Sequence, residues 1–289
     1  MEVKLSKKLY DDEDSSRLDF LVSLPIWWPP ELIITSLDDF SQAKVALDLP
    51  MIVDENASMF PIPGNKIFCY GNLQWVGIRN DPRNLRPVIS GFTFIINEDF
   101  SIEILNEGPP CYGSGGTFYD GNIYIFGGHI KTTESTCEAS KYNLQEKSWK
   151  RLASLPNSTS FSSCIEYMGL ILIAGISSSK KSFAYNIELN SYSEFLEGVE
   201  DCKILCKYEG YAYLLNPAGN IYESEYKNPF VWKIIKKFET EKIYEFVRFQ
   251  MVYEEFFYFV EYVYGKYHYY RFDLINKEID GSSWRENLK

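Results

Sequence analysis

Histidine is almost absent from this sequence of 289 residues, which contains only His129 and His268. Two histidines cannot build a histidine-rich metal site, and no Cys-x-x-Cys pair offers zinc ligands at a useful spacing. The sequence therefore predicts no metal site and no cofactor.

Long apolar runs are also lacking. The longest clean apolar stretch, residues 168–176, has the length of a strand, whereas a membrane helix needs about 18 or more apolar residues. The N-terminus reaches the acidic run at 11–14 without the apolar core of a secretory signal. We expect a cytoplasmic protein that does not bind membranes.

Positive charge is scarce as well. The chain has 29 Lys and Arg against 40 Asp and Glu, which gives a formal net charge of -11 and a pI near 4.9. Such a charge repels phosphate backbones and anionic lipid headgroups. Nucleic acid is therefore not an expected partner. The six cysteines show no disulfide framework, so we expect reduced thiols.

Short apolar patches recur along the chain at regular distances. The central residues of the later patches, Ile125, Leu172, Tyr213 and Tyr258, are 47, 41 and 45 positions apart. The 22 Tyr and 20 Phe are typical of strands. A period of about 40 to 50 residues with four short strands per unit predicts an all-β fold, a β-propeller.

Residues 111–156 form the clearest unit. Strands are predicted at 117–119 and 122–126, joined by the tight-turn dipeptide Asp120-Gly121. A polar loop at 129–137 leads to two further strands at 139–144 and 148–152. Gly127-Gly128 ends the second strand, and six residues separate Tyr142 from Trp149. In these features the unit resembles the kelch family of β-propellers.

This resemblance implies structural roles for the four motif residues. The glycines would let strands approach closely near a central channel, and Tyr142 and Trp149 would pack between neighbouring blades. The next unit, 158–198, keeps the aromatic spacing as Tyr185 and Tyr192. WD40 is the rival propeller family, but no Trp-Asp dipeptide occurs.

The repeat predicts one domain, a kelch-type propeller of six four-stranded blades at residues 18–284. A short acidic segment, 1–17, would precede it, and a tail, 285–289, would follow. The ring must close, because an open end leaves unpaired strand edges. Residues 2–8 could add a strand to the last blade, or residues 277–284 could supply its outer strand.

The candidate binding site is a long loop at 72–87, between the second and third strands of its unit. It carries Trp75, Arg79, Arg83 and Arg86 in an otherwise acidic chain. The arginines could bind an acidic segment, with Trp75 as an apolar anchor. Alternatively, Trp75 continues a strand and the arginines pair with nearby acids. His129, directly after the double glycine, is a further candidate.

Two functions are compatible with these observations. The first is a non-catalytic scaffold for protein-protein interaction, a monomer that binds a partner protein through loops on one face. The alternative is an enzyme for a small sugar-type molecule, such as an epimerase of the kelch type, with its site over the central channel. No catalytic residue is identified.

Overall fold

A computed structural model describes residues 20–23, 31–36, 42–50, 57–78, 81–177, 181–195, 204–216, 220–237, 247–253, 255–263 and 266–280. In these ranges the chain forms 25 β-strands and no helix. All strand pairs within the sheets are antiparallel. The all-β fold class is therefore confirmed.

The strands follow one another along the chain in successive sheets. Sheet 1 has three described strands, β1 (Phe20–Ser23), β2 (Glu31–Ser36) and β3 (Gln42–Ala46). Sheet 2 has four, β4 (Ser58–Ile62), β5 (Lys66–Ile78), β6 (Asp81–Ile96) and β7 (Ile102–Ile104).

Sheet 3 contains the unit that carries the double glycine. Its strands are β8 (Gly115–Tyr119), β9 (Asn122–Phe126), β12 (Ala139–Asn143) and β13 (Ser148–Arg151). A separate small hairpin lies between β9 and β12, made of β10 (His129–Lys131) and β11 (Glu134–Ser135).

The remaining sheets repeat this order of four strands. Sheet 4 contains β14 (Thr159–Tyr167), β15 (Leu170–Ser177), β16 (Phe183–Asn186) and β17 (Ser191–Glu194). Sheet 5 contains β18 (Ile204–Tyr208), β19 (Tyr211–Leu215), β20 (Asn220–Glu225) and β21 (Asn228–Lys237). Sheet 6 contains β22 (Val247–Tyr253), β23 (Phe256–Val263), β24 (Lys266–Asp273) and β25 (Glu278–Asp280).

The first strands of the sheets contact one another in sequence. β4 contacts β8, β8 contacts β14, β14 contacts β18, β18 contacts β22, and β22 contacts both β1 and β4. The described sheets are thus arranged around a ring of first strands, as in a propeller. Because sheet 1 has only three described strands, the count of six four-stranded blades stays a prediction.

The last sheet takes its outer strand from the C-terminal part of the chain. β25 pairs with β24, with Phe272 opposite Ile279, which matches the second of the two predicted modes of closure. Residues 2–8, the other predicted source of a strand, lie outside the described residues. The same holds for the predicted domain limits around residues 17 and 284.

Aromatic residues from the third and fourth strands fill the spaces between sheets. Tyr142 lies opposite Trp149, and their rings are 5.1 Å apart. Trp149 reaches sheet 2, where its ring is 5.0 Å from that of Tyr70 and its Nε1 donates a hydrogen bond to the carbonyl of Asn106 at 3.0 Å. Sheet 4 repeats the pair as Tyr185 opposite Tyr192.

The double glycine marks a close approach between sheets 3 and 4. Gly127 and Gly128 both have positive φ, 64° and 102°. A Cβ added to Gly127 would lie 2.2 Å from the carbonyl oxygen of Thr159 at the start of β14. Glycine is therefore required here both by the backbone conformation and by the space.

Candidate protein-binding face

Connections between strands gather at one edge of sheet 3. The link from β9 to β12 begins at Gly127, whose amide donates to the carbonyl of Glu138 at 2.8 Å. The chain that leads from β13 to the next sheet packs on this link, since Gly128 donates to Thr159 at 2.8 Å and Leu155 to Cys137 at 2.8 Å. We call this side of the molecule, where second strands end and third strands begin, the connection face.

Sheet 2 places a long hairpin on the same face. β5 and β6 pair beyond the four-stranded part of the sheet, from Asn72 opposite Ser90 to Ile78 opposite Asp81. The outer strand β7 pairs only with residues 94–96 of β6. The extension, here called the ribbon, spans residues 72–90 and is about 20 Å long at the usual rise per residue.

The ribbon corrects the expectation of a loop at 72–87. Trp75 lies in β5 opposite Pro87, and Arg86 lies in β6 opposite Val76. Arg83 is also part of β6, whereas Arg79 lies outside the described residues. The alternative that Trp75 continues a strand is therefore correct for its backbone. Whether these residues bind a partner stays a prediction.

The described side chains of the ribbon differ in exposure along its length. Asn72 and Leu73 are buried at its base. Farther along, Arg86, Pro87 and Val88 are exposed. The ribbon therefore presents a cation and apolar groups to solvent next to each other.

His129 is at the start of the β10–β11 hairpin and not in an open loop. Its ring stacks on Tyr112, with centroids 5.1 Å apart and planes 22° apart. Phe161, from β14 of the next sheet, lies 5.5 Å from the imidazole. Nδ1 of His129 is buried and has no hydrogen-bond partner among the described residues. Burial lowers the pKa of His129, so the neutral form prevails at pH 7.

The third ring of this cluster has an uncommon backbone. Phe161 has a φ of 49° and lies where the pairing of β14 with β15 shifts register. Its amide donates to the carbonyl of Gly113 at 2.6 Å, and its ring would collide with a Cβ at that glycine. Bulky residues rarely adopt positive φ, and such conformations cluster at functional sites.

The histidine cluster lies next to the third strand of sheet 2. β10, which begins with His129, contacts β6, the strand whose first part belongs to the ribbon. Tyr112 is bridged to His129 by two backbone hydrogen bonds, of 2.8 and 3.2 Å, and its hydroxyl donates to the carbonyl of Thr132 in the hairpin. The hairpin that follows the double glycine thus lies beside β6 of the neighbouring sheet.

Several of the described cysteines are buried thiols. Burial raises the pKa of Cys69, Cys164 and Cys206 well above the ordinary thiol value, so they are protonated and weakly nucleophilic. In the part of the chain that the structure describes, no three side chains of His, Cys, Asp or Glu are grouped so as to hold a metal ion. Nor does that part of the chain include a helix with the length and hydropathy needed to cross a membrane.

Comparison with known proteins identifies one repeat. No curated protein matches the chain. Residues 110–156, which run from just before β8 to the link that follows β13, match the family model of the kelch motif. The described chain is all-β, and its successive four-stranded antiparallel sheets are consistent with a kelch β-propeller.

Proposed function

We propose that this protein is a non-catalytic interaction module that binds a partner protein through its connection face. The kelch motif and the succession of β-sheets fit a propeller of this kind. The observation that carries the proposal is the contact between β6 and β10. It brings the strand that carries Arg86 next to the hairpin that begins with His129, so that sheets 2 and 3 would both contribute to the binding surface.

The chemistry of this surface favours an acidic segment as the partner. Arg86 is exposed on a chain with a net charge of -11. A guanidinium binds carboxylates with two parallel hydrogen bonds. His129 is neutral at pH 7, so the attraction would come from Arg86 and from the predicted contributions of Arg79 and Arg83.

Arginines alone would give weak binding. An exposed ion pair contributes about 0.2 to 1 kcal/mol, whereas truncation of a buried interface tryptophan commonly costs about 2 kcal/mol or more. Trp75 is therefore proposed as the anchor, and the arginines as the groups that steer and orient the partner.

We also propose that the module is a cytoplasmic monomer. Five cysteines of the described residues are unpaired: Cys69, Cys111, Cys137, Cys164 and Cys206. Free thiols in this number are typical of proteins in a reducing compartment. The alternative of a sugar epimerase would need acid and base groups that converge over the central channel.

The proposal is tested by affinity purification from the native cell, followed by binding measurements with the purified partner. The test variant combines Arg79→Ala, Arg83→Ala and Arg86→Ala, and Trp75→Ala is measured separately. The control combines Lys147→Ala, Lys150→Ala and Lys207→Ala, which removes the same charge from exposed positions of other sheets.

We expect the arginine variant and Trp75→Ala each to weaken binding at least tenfold, and the control to change it less than twofold. Thermal unfolding establishes that all three proteins are folded. A partner that binds every variant as tightly as the wild type would refute the connection face as the binding site. Conversion of a sugar by the purified protein alone would favour the enzyme.

A further inference from the structure

The outer strand of sheet 5 differs from the outer strands of the other four-stranded sheets. β21 has ten residues, whereas β7, β13 and β17 have three or four. β21 is the last strand in the order of its sheet, and among the described residues no strand pairs with its outer edge. Two register shifts interrupt its pairing with β20, at residues 229–231 and at Ile235. The regular part of the edge, residues 232–237, therefore presents backbone donors and acceptors on the side away from β20.

Apolar side chains are exposed along this strand. Phe230, Val231 and Ile234 have 49%, 53% and 58% of their surfaces accessible. In β13 and β17 only the aromatic that packs inward is half-buried, and the exposed positions carry serine or charged residues. The outer strand β7 exposes one apolar side chain, Ile104 at 55%, whereas β21 exposes three.

The charge of β21 is opposite to that of the chain. Residues 226–237 include four lysines, Lys227, Lys233, Lys236 and Lys237, and no acidic residue. Lys233 is bound to Glu223 of the neighbouring strand at 2.9 Å, while Lys236 and Lys237 extend the basic strip beyond the ion pair. A protein of net charge -11 here combines a basic edge with exposed apolar groups.

From these observations we propose that β21 binds an extended segment of a partner protein whose residues alternate between apolar and acidic. The segment adds to the edge of sheet 5 as a further strand, so that backbone hydrogen bonds supply affinity. Contacts with Phe230, Val231, Ile234 and the lysines supply selectivity.

Charge decides between this partner and a second copy of the chain. Two β21 strands placed edge to edge would bring lysines against lysines, and lysines on an edge strand oppose such self-pairing. An acidic segment meets no such repulsion. An anionic membrane would be attracted by the lysines, but the net charge of the chain opposes it and the strand edge has no role there.

This surface belongs to sheet 5, with Lys236 and Lys237 opposite the start of β20, and it does not depend on the ribbon or the histidine cluster. The proposal is tested by selection of phage-displayed random decapeptides on the folded full-length chain. We expect enriched peptides with alternating apolar and acidic residues. Their Kd should rise at least tenfold in Lys236→Glu/Lys237→Glu and in Phe230→Ser/Val231→Ser/Ile234→Ser.

The matched control is Lys150→Glu/Arg151→Glu, which reverses two exposed charges on the outer strand of sheet 3. It should change the Kd less than twofold. If the triple serine variant does not fold, the Kd of Lys236→Glu/Lys237→Glu decides the test. Bound peptide should also slow amide hydrogen exchange across residues 228–237.

Three outcomes would overturn the proposal. The first is a selection without enrichment, or peptides that bind the β21 variants as tightly as the wild type. The second is slowed exchange at residues 66–96 in place of β21, which would assign the peptides to the ribbon. The third is binding to phosphatidylserine vesicles, lost in the β21 variants, without any peptide binding.

Discussion

Tyr142 and Tyr185 allow a direct comparison of two hydroxyl groups at the same position of neighbouring sheets. Both side chains are almost completely buried, and each lies opposite an aromatic residue of the outer strand. The hydroxyl of Tyr185 donates to Oδ1 of Asn190 at 2.8 Å. That of Tyr142 is buried without a hydrogen-bond partner among the described residues. Removal of the two hydroxyls should therefore have opposite effects.

The magnitudes follow from these contacts. Tyr185→Phe should lower the free energy of unfolding by about 1 kcal/mol, the usual net value of one hydrogen bond. The loss should not be larger, because Oδ1 of Asn190 also accepts the amide of Ala153 at 2.8 Å. Tyr142→Phe removes a hydroxyl whose burial costs about 1 to 3 kcal/mol without compensation. Stability should stay unchanged or rise by about 1 kcal/mol.

Urea unfolding followed by circular dichroism measures both variants against the wild type. Equal m-values are required, because a changed m-value would indicate altered compactness of one of the states. The difference between the two variants should be about 1 to 2 kcal/mol, with Tyr142→Phe the more stable. A loss of 1 kcal/mol or more in Tyr142→Phe would show that its hydroxyl has a partner, and would refute the reasoning.

Two further changes test the packing between sheets. Trp149→Ala should lower the free energy of unfolding in urea by about 3 kcal/mol, because the ring packs on Tyr70. A decrease of less than about 1 kcal/mol would contradict the packing of Trp149 between sheets. Burial opposes ionisation of Glu223, but hydrogen bonds from Lys233, Lys277 and Tyr213 outweigh it and lower its pKa. The stability that Glu223 contributes is thus present above pH 4.5 and lost as the pH falls through the lowered folded pKa. Glu223→Gln should lower the free energy of unfolding by about 1 to 3 kcal/mol at pH 7 and make it depend less on pH in this range. A variant whose stability changes with acid pH as the wild type does would contradict the lowered pKa of Glu223.

The strands of sheet 3 were predictable because their signals are local. Strands were predicted at 117–119, 122–126, 139–144 and 148–152, and the structure agrees within two residues at each end. The turn between the first two contains Asp120 and Gly121, which have φ values of 46° and 69°. Aspartate and glycine tolerate these angles, so the sequence itself specifies the hairpin.

The ribbon was missed because its sequence resembles a loop. β6 contains Pro82 and Pro87, which cannot donate hydrogen bonds to a neighbouring strand. Within a four-stranded sheet such residues would break the pairing. In a two-stranded ribbon each strand has a partner on one side only, so proline is tolerated where its nitrogen faces away. Sequence patterns do not distinguish this case from an irregular connection.

The histidine cluster was missed for a different reason. Tyr112 and Phe161 are 17 and 32 residues away from His129 in the sequence. Their rings meet only because the double glycine turns the chain back toward the start of β8 and β14. Neither residue has a pattern that marks it, and the positive φ of Phe161 follows from its place in the fold.

The two proposed binding surfaces lie where single sheets depart from the repeat. Sheet 2 extends its second and third strands into the ribbon, and sheet 5 lengthens its outer strand. The positions that sheets share, such as those of Tyr142 and Tyr185, bury similar side chains and would stabilise any propeller of this type in the same way. A partner can therefore distinguish this chain from another propeller only through groups that the repeat does not supply. For this reason the specificity of the protein is expected in the ribbon and in β21, where the kelch pattern predicts least.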